Sequence, residues 1–312
     1  MDLSIQLGSL RLKNPVIAAS GTFGYGEELN EYFPVEKLGA VSTKGLSLKP
    51  REGNPMPRIV ETPSGMINAI GLQNVGIAAF LRDKLPFLEK RGVTVIANIF
   101  GNTLDEYVEI ARQLQASSVQ AVELNISCPN VKAGGMEFGN NPKMAAAVTE
   151  AVRKVFDRHL MVKLSPNVTS IAEVAKHVEV AGADSLSLIN TITAMVINTK
   201  TRRPMIANGV GGLSGPAIRP IAVRMVAEVY SAVKIPIVGI GGIVSCNDAL
   251  EFFIAGASAV QVGTATFMAP DACSRLLEEL QSYFVENRIG GMGEVVGSLA
   301  YFSSNVKRNL PI

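Results

Sequence analysis

A chain of 312 residues with 47% apolar side chains can bury the core of one barrel-sized domain or of two ordinary ones, and we read it as one domain spanning 1–312. Its charged fraction of 18% and formal net charge of +2 are too balanced for a nucleic-acid groove or an anionic membrane surface, which leaves a small molecule as the expected ligand. The three cysteines, Cys128, Cys246 and Cys273, are far apart and form no Cys-x-x-Cys pair, so no disulfide framework, zinc site or iron–sulfur site is expected in this chain.

The chain starts MDLSIQLGSLRLKNP, without a basic segment followed by an apolar one, and no later run is apolar enough to span a bilayer. A cytoplasmic location is expected. Leu3–Leu7, the Gly8-Ser9 turn and Leu10–Leu12 read as a small hairpin that could plug the bottom of a barrel. Eight short β-branched runs follow: Pro15–Ala19, Ala40–Thr43, Val93–Ile99, Ala121–Ile126, Leu160–Leu164, Ser185–Ile189, Pro236–Gly239 and Ala259–Val262. Between them lie amphipathic patterns at Thr103–Gln115, Pro142–Phe156, Ile171–Ala181, Pro216–Ala232 and Ala249–Ala255. Repeated strand-then-helix order predicts a parallel sheet, and eight strands with no evident linker predict an α/β fold of the closed (β/α)₈ type. Two connections are long, Lys44 to Arg91 and Thr191 to Gly215, the latter carrying Thr199-Lys200-Thr201-Arg202-Arg203-Pro204. Long loops after barrel strands usually cover the active site.

In such a barrel the reactive groups sit where strands end, so the polar residues there are the first candidates. Strand two ends in Ser42-Thr43-Lys44-Gly45, strand three in Asn98, strand four in Asn125-Ile126-Ser127-Cys128-Pro129-Asn130, strand five in Lys163 and strand six in Asn190-Thr191. Neither a carboxylate nor a histidine leads them. His159 precedes strand five on the opposite rim and His177 lies within a helical pattern, so both read as ordinary surface histidines, and a base must be Cys128 or a lysine. Free cysteine is most often an inert core residue, but Cys128 lies in a polar loop just past a strand end, where a substrate can reach it. For Cys246 and Cys273 the packing role stands. The turns Gly239-Ile240-Gly241-Gly242-Ile243 after strand seven and Gly263-Thr264-Ala265 after strand eight lie where barrels hold phosphate, because glycine lets backbone N–H groups approach an anion closely. Gly290-Gly291-Met292-Gly293 follows a helix and lacks the spacing of a dinucleotide loop, so no NAD site is expected here. Glu123 and Asn125 share one face of strand four; Glu123 could partner a lysine, and a structural ion pair in the barrel is the preferred reading for it.

From Pro15 to about Ala265 these residues resemble the class 1 dihydroorotate dehydrogenases. Asn125-Ile126-Ser127-Cys128-Pro129-Asn130 matches the family's catalytic loop and Asn68-Ala69-Ile70-Gly71-Leu72-Gln73-Asn74 its substrate loop. Cysteine at 128, where class 2 has serine, and the missing membrane-binding extension favour class 1. Gly21-Thr22-Phe23-Gly24-Tyr25-Gly26, Glu61-Thr62-Pro63-Ser64-Gly65, Val131-Lys132-Ala133-Gly134-Gly135 and Gly211-Gly212-Leu213-Ser214-Gly215-Pro216 look like subtype B.

The resemblance implies one FMN per chain, held by Ser20, Lys44, Gly45, Asn98, Asn125, Lys163 and Ile189, with its phosphate at Gly215, Gly241, Gly242, Gly263 and Thr264. It implies substrate contacts from Lys44, Asn68, Ala69, Ile70, Gly71, Leu72, Asn125, Asn190 and Thr191, with Asn130 as a further one. Dihydroorotate is flat, amide-rich and carboxylate-bearing, so asparagines suit its edges and Lys44 offsets its charge. Cys128 would remove the C5 proton as hydride passes from C6 to the flavin, while Lys163 steadies anionic charge on the ring. Electrons would then reach NAD through a partner subunit carrying FAD and a [2Fe–2S] cluster, in a heterotetramer built around a homodimer of this chain. The alternatives are another FMN barrel oxidoreductase, such as the fumarate-using subtype A, a dihydropyrimidine dehydrogenase domain or a dihydrouridine synthase, and a non-catalytic barrel that binds a phosphorylated metabolite. The tail Tyr301–Ile312 matches nothing in the family and carries no assigned role.

Overall fold

The computed structural model describes residues 2–126 and 139–301. Eight parallel strands close into a barrel: β1 (Val16–Ala18), β2 (Ala40–Ser42), β3 (Val95–Ile99), β4 (Ala121–Asn125), β5 (His159–Lys163), β6 (Ser185–Leu188), β7 (Ile237–Ile240) and β8 (Ala259–Val262). They follow one another around the barrel in chain order, with β8 pairing back onto β1 through Val260↔Val16 and Val262↔Ala18. Every residue of these strands is buried, because one face fills the barrel and helices cover the other. The predicted runs match all eight strands to within two residues at each end.

Three of the helices start where a side chain satisfies their first N–H groups. Thr103 accepts from Glu106 N, Ser170 from Glu173 N, and Asn141 from Lys143 N and Met144 N, opening Leu104–Gln115, Ile171–Val180 and Pro142–Arg153. Leu104–Gln115 buries Tyr107, Ile110, Ala111 and Leu114, the stripe its apolar spacing predicts. Two expectations need correction. The last helix before β8 starts at Cys246, not Ala249, because Ser245 and Asp248 form a capping box three residues earlier than the apolar pattern. The segment expected as helix from Pro216 splits into a 3₁₀ turn, Pro216–Ile218, and the helix Arg219–Tyr230.

The long connections do not remain loops. Ile59–Thr62, Gly65–Asn68, Ile192–Ala194 and Gly211–Ser214 form a four-stranded antiparallel sheet joined through Gly212↔Asn68 and Leu213↔Ile67. Ile197–Asn198 and Arg203–Pro204 add a small hairpin. At the opposite end, Ile5–Leu7 pairs with Leu10–Leu12 as expected. Among the described residues no helix is long and apolar enough to cross a membrane.

The hairpin turn overturns the surface reading of His159. This side chain is 2% exposed, with Nε2 2.8 Å from Ser185 Oγ and Nδ1 3.3 Å from Ser9 Oγ, while Gly8 packs against its ring and the Asp184 carbonyl. Burial lowers its pKa to about 4; Asp184 pulls the other way and Arg153 adds to the lowering. The folded pKa lies below the unfolded one, so this contribution to stability is complete above about pH 6.5 and is lost as pH falls toward 4, by roughly 2–3 kcal/mol. Urea midpoints measured at about pH 7 and about pH 4.5 should therefore fall less for His159→Gln than for wild type; equal slopes would remove His159 from the acid response.

Candidate active site

The expected site residues that fall within the described chain gather at one end of the barrel, because the strands are parallel and all end there. Ser20 follows β1, Lys44 and Gly45 follow β2, Asn98 lies in β3, Asn125 ends β4, Lys163 ends β5, and Ile189, Asn190 and Thr191 follow β6. Gly241 and Gly242 follow β7, and Gly263 and Thr264 follow β8. Cys128 and Asn130 lie outside the described residues.

Contacts cross this mouth. Lys163 Nζ donates to Ser20 Oγ at 3.3 Å, joining β5 to the loop after β1, and Asn190 Nδ2 lies 3.5 Å from Asn125 Oδ1. Lys44 Nζ donates to the Gly21 carbonyl at 3.1 Å, and burial, reinforced by the nearby charge of Arg58, lowers its pKa. The ammonium therefore favours an anionic neighbour. Asn98 Nδ2 is tied to Glu123, while its Oδ1 is buried without a hydrogen-bond partner, 3.0 Å from where a Cβ on Gly45 would lie. A buried acceptor in that condition points to a donor from a ligand.

Below the mouth, Glu123 is fully buried. Its carboxylate accepts from Ser42 Oγ (2.8 Å), Asn98 Nδ2 (2.6 Å), Ser187 Oγ (2.7 Å) and Gln261 Nε2 (2.8 Å), residues of β2, β3, β6 and β8. Burial works against its charge, but the field of Lys163 and the hydrogen bonds from Asn98, Ser187 and Gln261 outweigh it and hold the pKa below the ordinary carboxylate range. The expected ion pair is thus corrected to a hydrogen-bonded carboxylate that compensates Lys163 through space.

The four-stranded sheet carries the expected substrate loop. Asn68 ends one strand and donates to the Gly212 carbonyl at 3.4 Å, and Thr191 Oγ1 leaves no room for a Cβ on that same glycine. Asn54 grips the loop from below, its N donating to Ile70 O and its Nδ2 to Ala69 O, both at 2.9 Å. Gly71 and Leu72 have φ of +76° and +58°, so the backbone turns back sharply there, and Asn74 Nδ2 holds the Leu72 carbonyl at 2.8 Å.

The glycine turns converge. Gly215, Gly241 and Gly242 have φ of +93°, +134° and +70°, conformations that favour glycine, and a Cβ on Gly242 would strike the Gly215 carbonyl. Thr264 Oγ1 donates to Ser214 Oγ at 2.9 Å, drawing the loop after β8 to the end of the sheet. Reasoning from strand ends missed three residues. Thr22 Oγ1 is buried without a partner near Gly263; Ser214 holds Thr264; and Arg58 acts on Lys44. Thr22 and Ser214 lie inside the glycine motifs from which the resemblance was drawn, which was their available signal. The other cysteines behave as packing groups: burial raises the thiol of Cys246 to about 11, with Glu279 adding to it, and that of Cys273 to about 12.

A family model described as dihydroorotate dehydrogenase matches residues 2–284. The chain belongs to the dihydroorotate dehydrogenase family. Its similar relatives include proteins named dihydroorotate dehydrogenase B (NAD(+)), catalytic subunit, from Trichlorobacter lovleyi and Geobacter sulfurreducens, each 57% identical. A third, from Geotalea uraniireducens, is 55% identical; the alignments cover 95–96% of this chain and 98% of each relative. The fold is also similar to the crystal structure of the Eimeria tenella dihydroorotate dehydrogenase in complex with ferulenol. The TM-score is 0.79 at 23% identity, over 95% of this chain and 88% of that one.

Proposed function

We propose that this chain oxidises dihydroorotate to orotate with FMN as its bound cofactor, and passes the electrons to NAD through a partner subunit. The observation that carries the reading is one rim, in a chain of this family, that joins two lysines and a set of asparagines to glycine turns suited to a phosphate. The names of the relatives support the NAD linkage and the partner, since each is a catalytic subunit.

FMN fits the residues present. The buried, unpartnered Asn98 Oδ1 and Thr22 Oγ1 suit hydrogen-bonding groups of a ligand, and Gly263, where a Cβ would meet only ordinary contacts, leaves its backbone open to an anion beside the closely packed turns at Gly215, Gly241 and Gly242. Ser20, Gly45, Asn125, Lys163 and Ile189 complete its contacts, and Thr264 joins the phosphate end. When bound, FMN supplies the hydride acceptor. Cys128 takes the proton from C5 of dihydroorotate. Asn68, Asn125, Asn130 and Asn190 match the amide edges, joined by Thr191 and the backbone of Ala69, Ile70, Gly71 and Leu72. Lys44, whose ammonium is disfavoured by burial and by Arg58, gains a counter-charge from the substrate carboxylate. Lys163 sets a cation beside the cofactor ring. FAD and a [2Fe–2S] cluster belong to the partner, two copies of each chain assemble around a homodimer of this one, and the complex works in the cytoplasm.

The purified chain should be yellow and should bleach on addition of dihydroorotate. Alone it should reduce small artificial acceptors but not NAD, and adding the partner should restore NAD reduction. A colourless protein that takes up no FMN would support a phosphometabolite-binding barrel instead, and efficient fumarate reduction would point to subtype A. The phosphate placement has its own test. A Cβ on Gly263 meets only ordinary contacts, 3.5 Å to Ala19 Cβ and 3.8 Å to Thr22 Oγ1, whereas Gly241→Val would be strained by φ +134° and by Ala222 Cβ at 2.9 Å. Gly263→Val should therefore lose flavin while melting where flavin-free wild type melts, and Gly241→Val should lose flavin and melt lower still. Full flavin content in purified Gly263→Val would move the phosphate elsewhere.

A further inference from the structure

Two glycine turns face each other at the proposed phosphate end, and one ion pair ties them together. Arg219 is the first residue of the helix Arg219–Tyr230, just after Gly215 and the Pro216–Ile218 turn. Its Nη1 pairs with Asp248 Oδ1, and its Nε lies 3.6 Å from Glu251 Oε2. Asp248 is 5% exposed, and its other oxygen accepts from Val244 N (3.0 Å) and Ser245 N (2.9 Å), the residues that continue the Gly241-Gly242 turn. Packing between the turns is close: a Cβ on Gly242 would come within 2.7 Å of the Gly215 carbonyl and 2.9 Å of Arg219 Cβ.

We infer that the Arg219–Asp248 pair is a positioning device for the cofactor phosphate, fixing the turn after β7 against the turn at Gly215 so that their backbone N–H groups converge on one anion. This rests on the FMN reading above. Arg219 and Asp248 act through the turns, since each already spends its charge on the other. A backbone cradle binds an anion well only if its donors are held in place beforehand, because ordering them on binding subtracts from affinity. The pair supplies that order from outside the cradle, with a buried carboxylate that grips one turn and a guanidinium anchored at the other.

The test compares FMN with riboflavin, which has the ring but no phosphate, by titrating the flavin-free chain and following flavin fluorescence. Arg219→Gln and Asp248→Asn should each weaken FMN binding by roughly tenfold, about what one charge-assisted hydrogen bond contributes, while changing riboflavin binding less than about twofold. Arg219→Lys should recover most of the loss. At saturating FMN the rate of flavin reduction by dihydroorotate should match wild type. Equal weakening of both flavins would mean a general structural role, and unchanged FMN affinity would mean none; either overturns the inference. If wild type itself binds riboflavin as tightly as FMN, the phosphate placement falls and the positioning role with it. Arg219→Gln, on the more exposed side of the pair, gives the answer even if Asp248→Asn does not fold.

Discussion

Cys128→Ala is expected to keep FMN and orotate bound yet to slow flavin reduction by dihydroorotate by roughly 10²–10⁴-fold, the usual cost of a lost general base. Among the described residues the rim offers no histidine: His159 is buried at the far end of the barrel between two serine hydroxyls, and His177 lies on the helix Ile171–Val180. Lys163 is bonded to Ser20 and has the buried Glu123 carboxylate as its nearby counter-charge. A thiol base also predicts a pH profile. The wild-type rate should rise with pH through the thiol pKa, about 8.5 if unperturbed, and then level off. Stopped-flow bleaching of the flavin measures both effects. Near-normal reduction in Cys128→Ala would shift attention to Lys44, whose pKa burial already lowers.

Replacing Glu123 should have the largest effect on stability. Glu123→Ala removes the acceptor for four buried donors, on Ser42, Asn98, Ser187 and Gln261, and leaves Lys163 without its nearby negative charge. Stranding buried donors and a buried cation costs about 3–5 kcal/mol, a large share of the stability of an ordinary domain. Glu123→Gln keeps the volume but turns an amide N–H₂ toward groups that also donate, so it should recover only part of the loss. Urea denaturation of the flavin-free protein reads the change directly. An unmoved midpoint in Glu123→Ala would mean that water replaces the carboxylate in the barrel and that the network is incidental to the fold.

The barrel strands were legible because each is a short run of β-branched and apolar residues buried on both faces, and such runs differ sharply from the amphipathic segments between them. Strand direction then grouped the candidate residues: once the strands are parallel, residues that end them must share one rim, so Lys44, Asn125, Lys163, Asn190 and the glycine turns belong together by their positions in the chain. The antiparallel sheet was not legible. Gly65–Asn68 and Gly211–Ser214 read Gly-Met-Ile-Asn and Gly-Gly-Leu-Ser, poor strand formers by composition. They are extended because each finds a neighbour for its backbone hydrogen bonds, a partner 144 residues away in the case of Asn68 and Gly212.

The residues by themselves determined the period of strands and helices, the end of the barrel on which polar groups collect and the chemical types available there, since these depend on local pattern and on strand polarity alone. Only the tertiary structure decided what each charged group has for company. Glu123 draws its four hydrogen bonds from strands 25 to 138 residues away, His159 is enclosed by a hairpin 150 residues earlier, and Arg219 meets Asp248 across 29 residues. Protonation and the strength of a hydrogen bond are set by burial and by the nearest charges, and in a closed barrel those neighbours come from strands that sequence proximity does not relate.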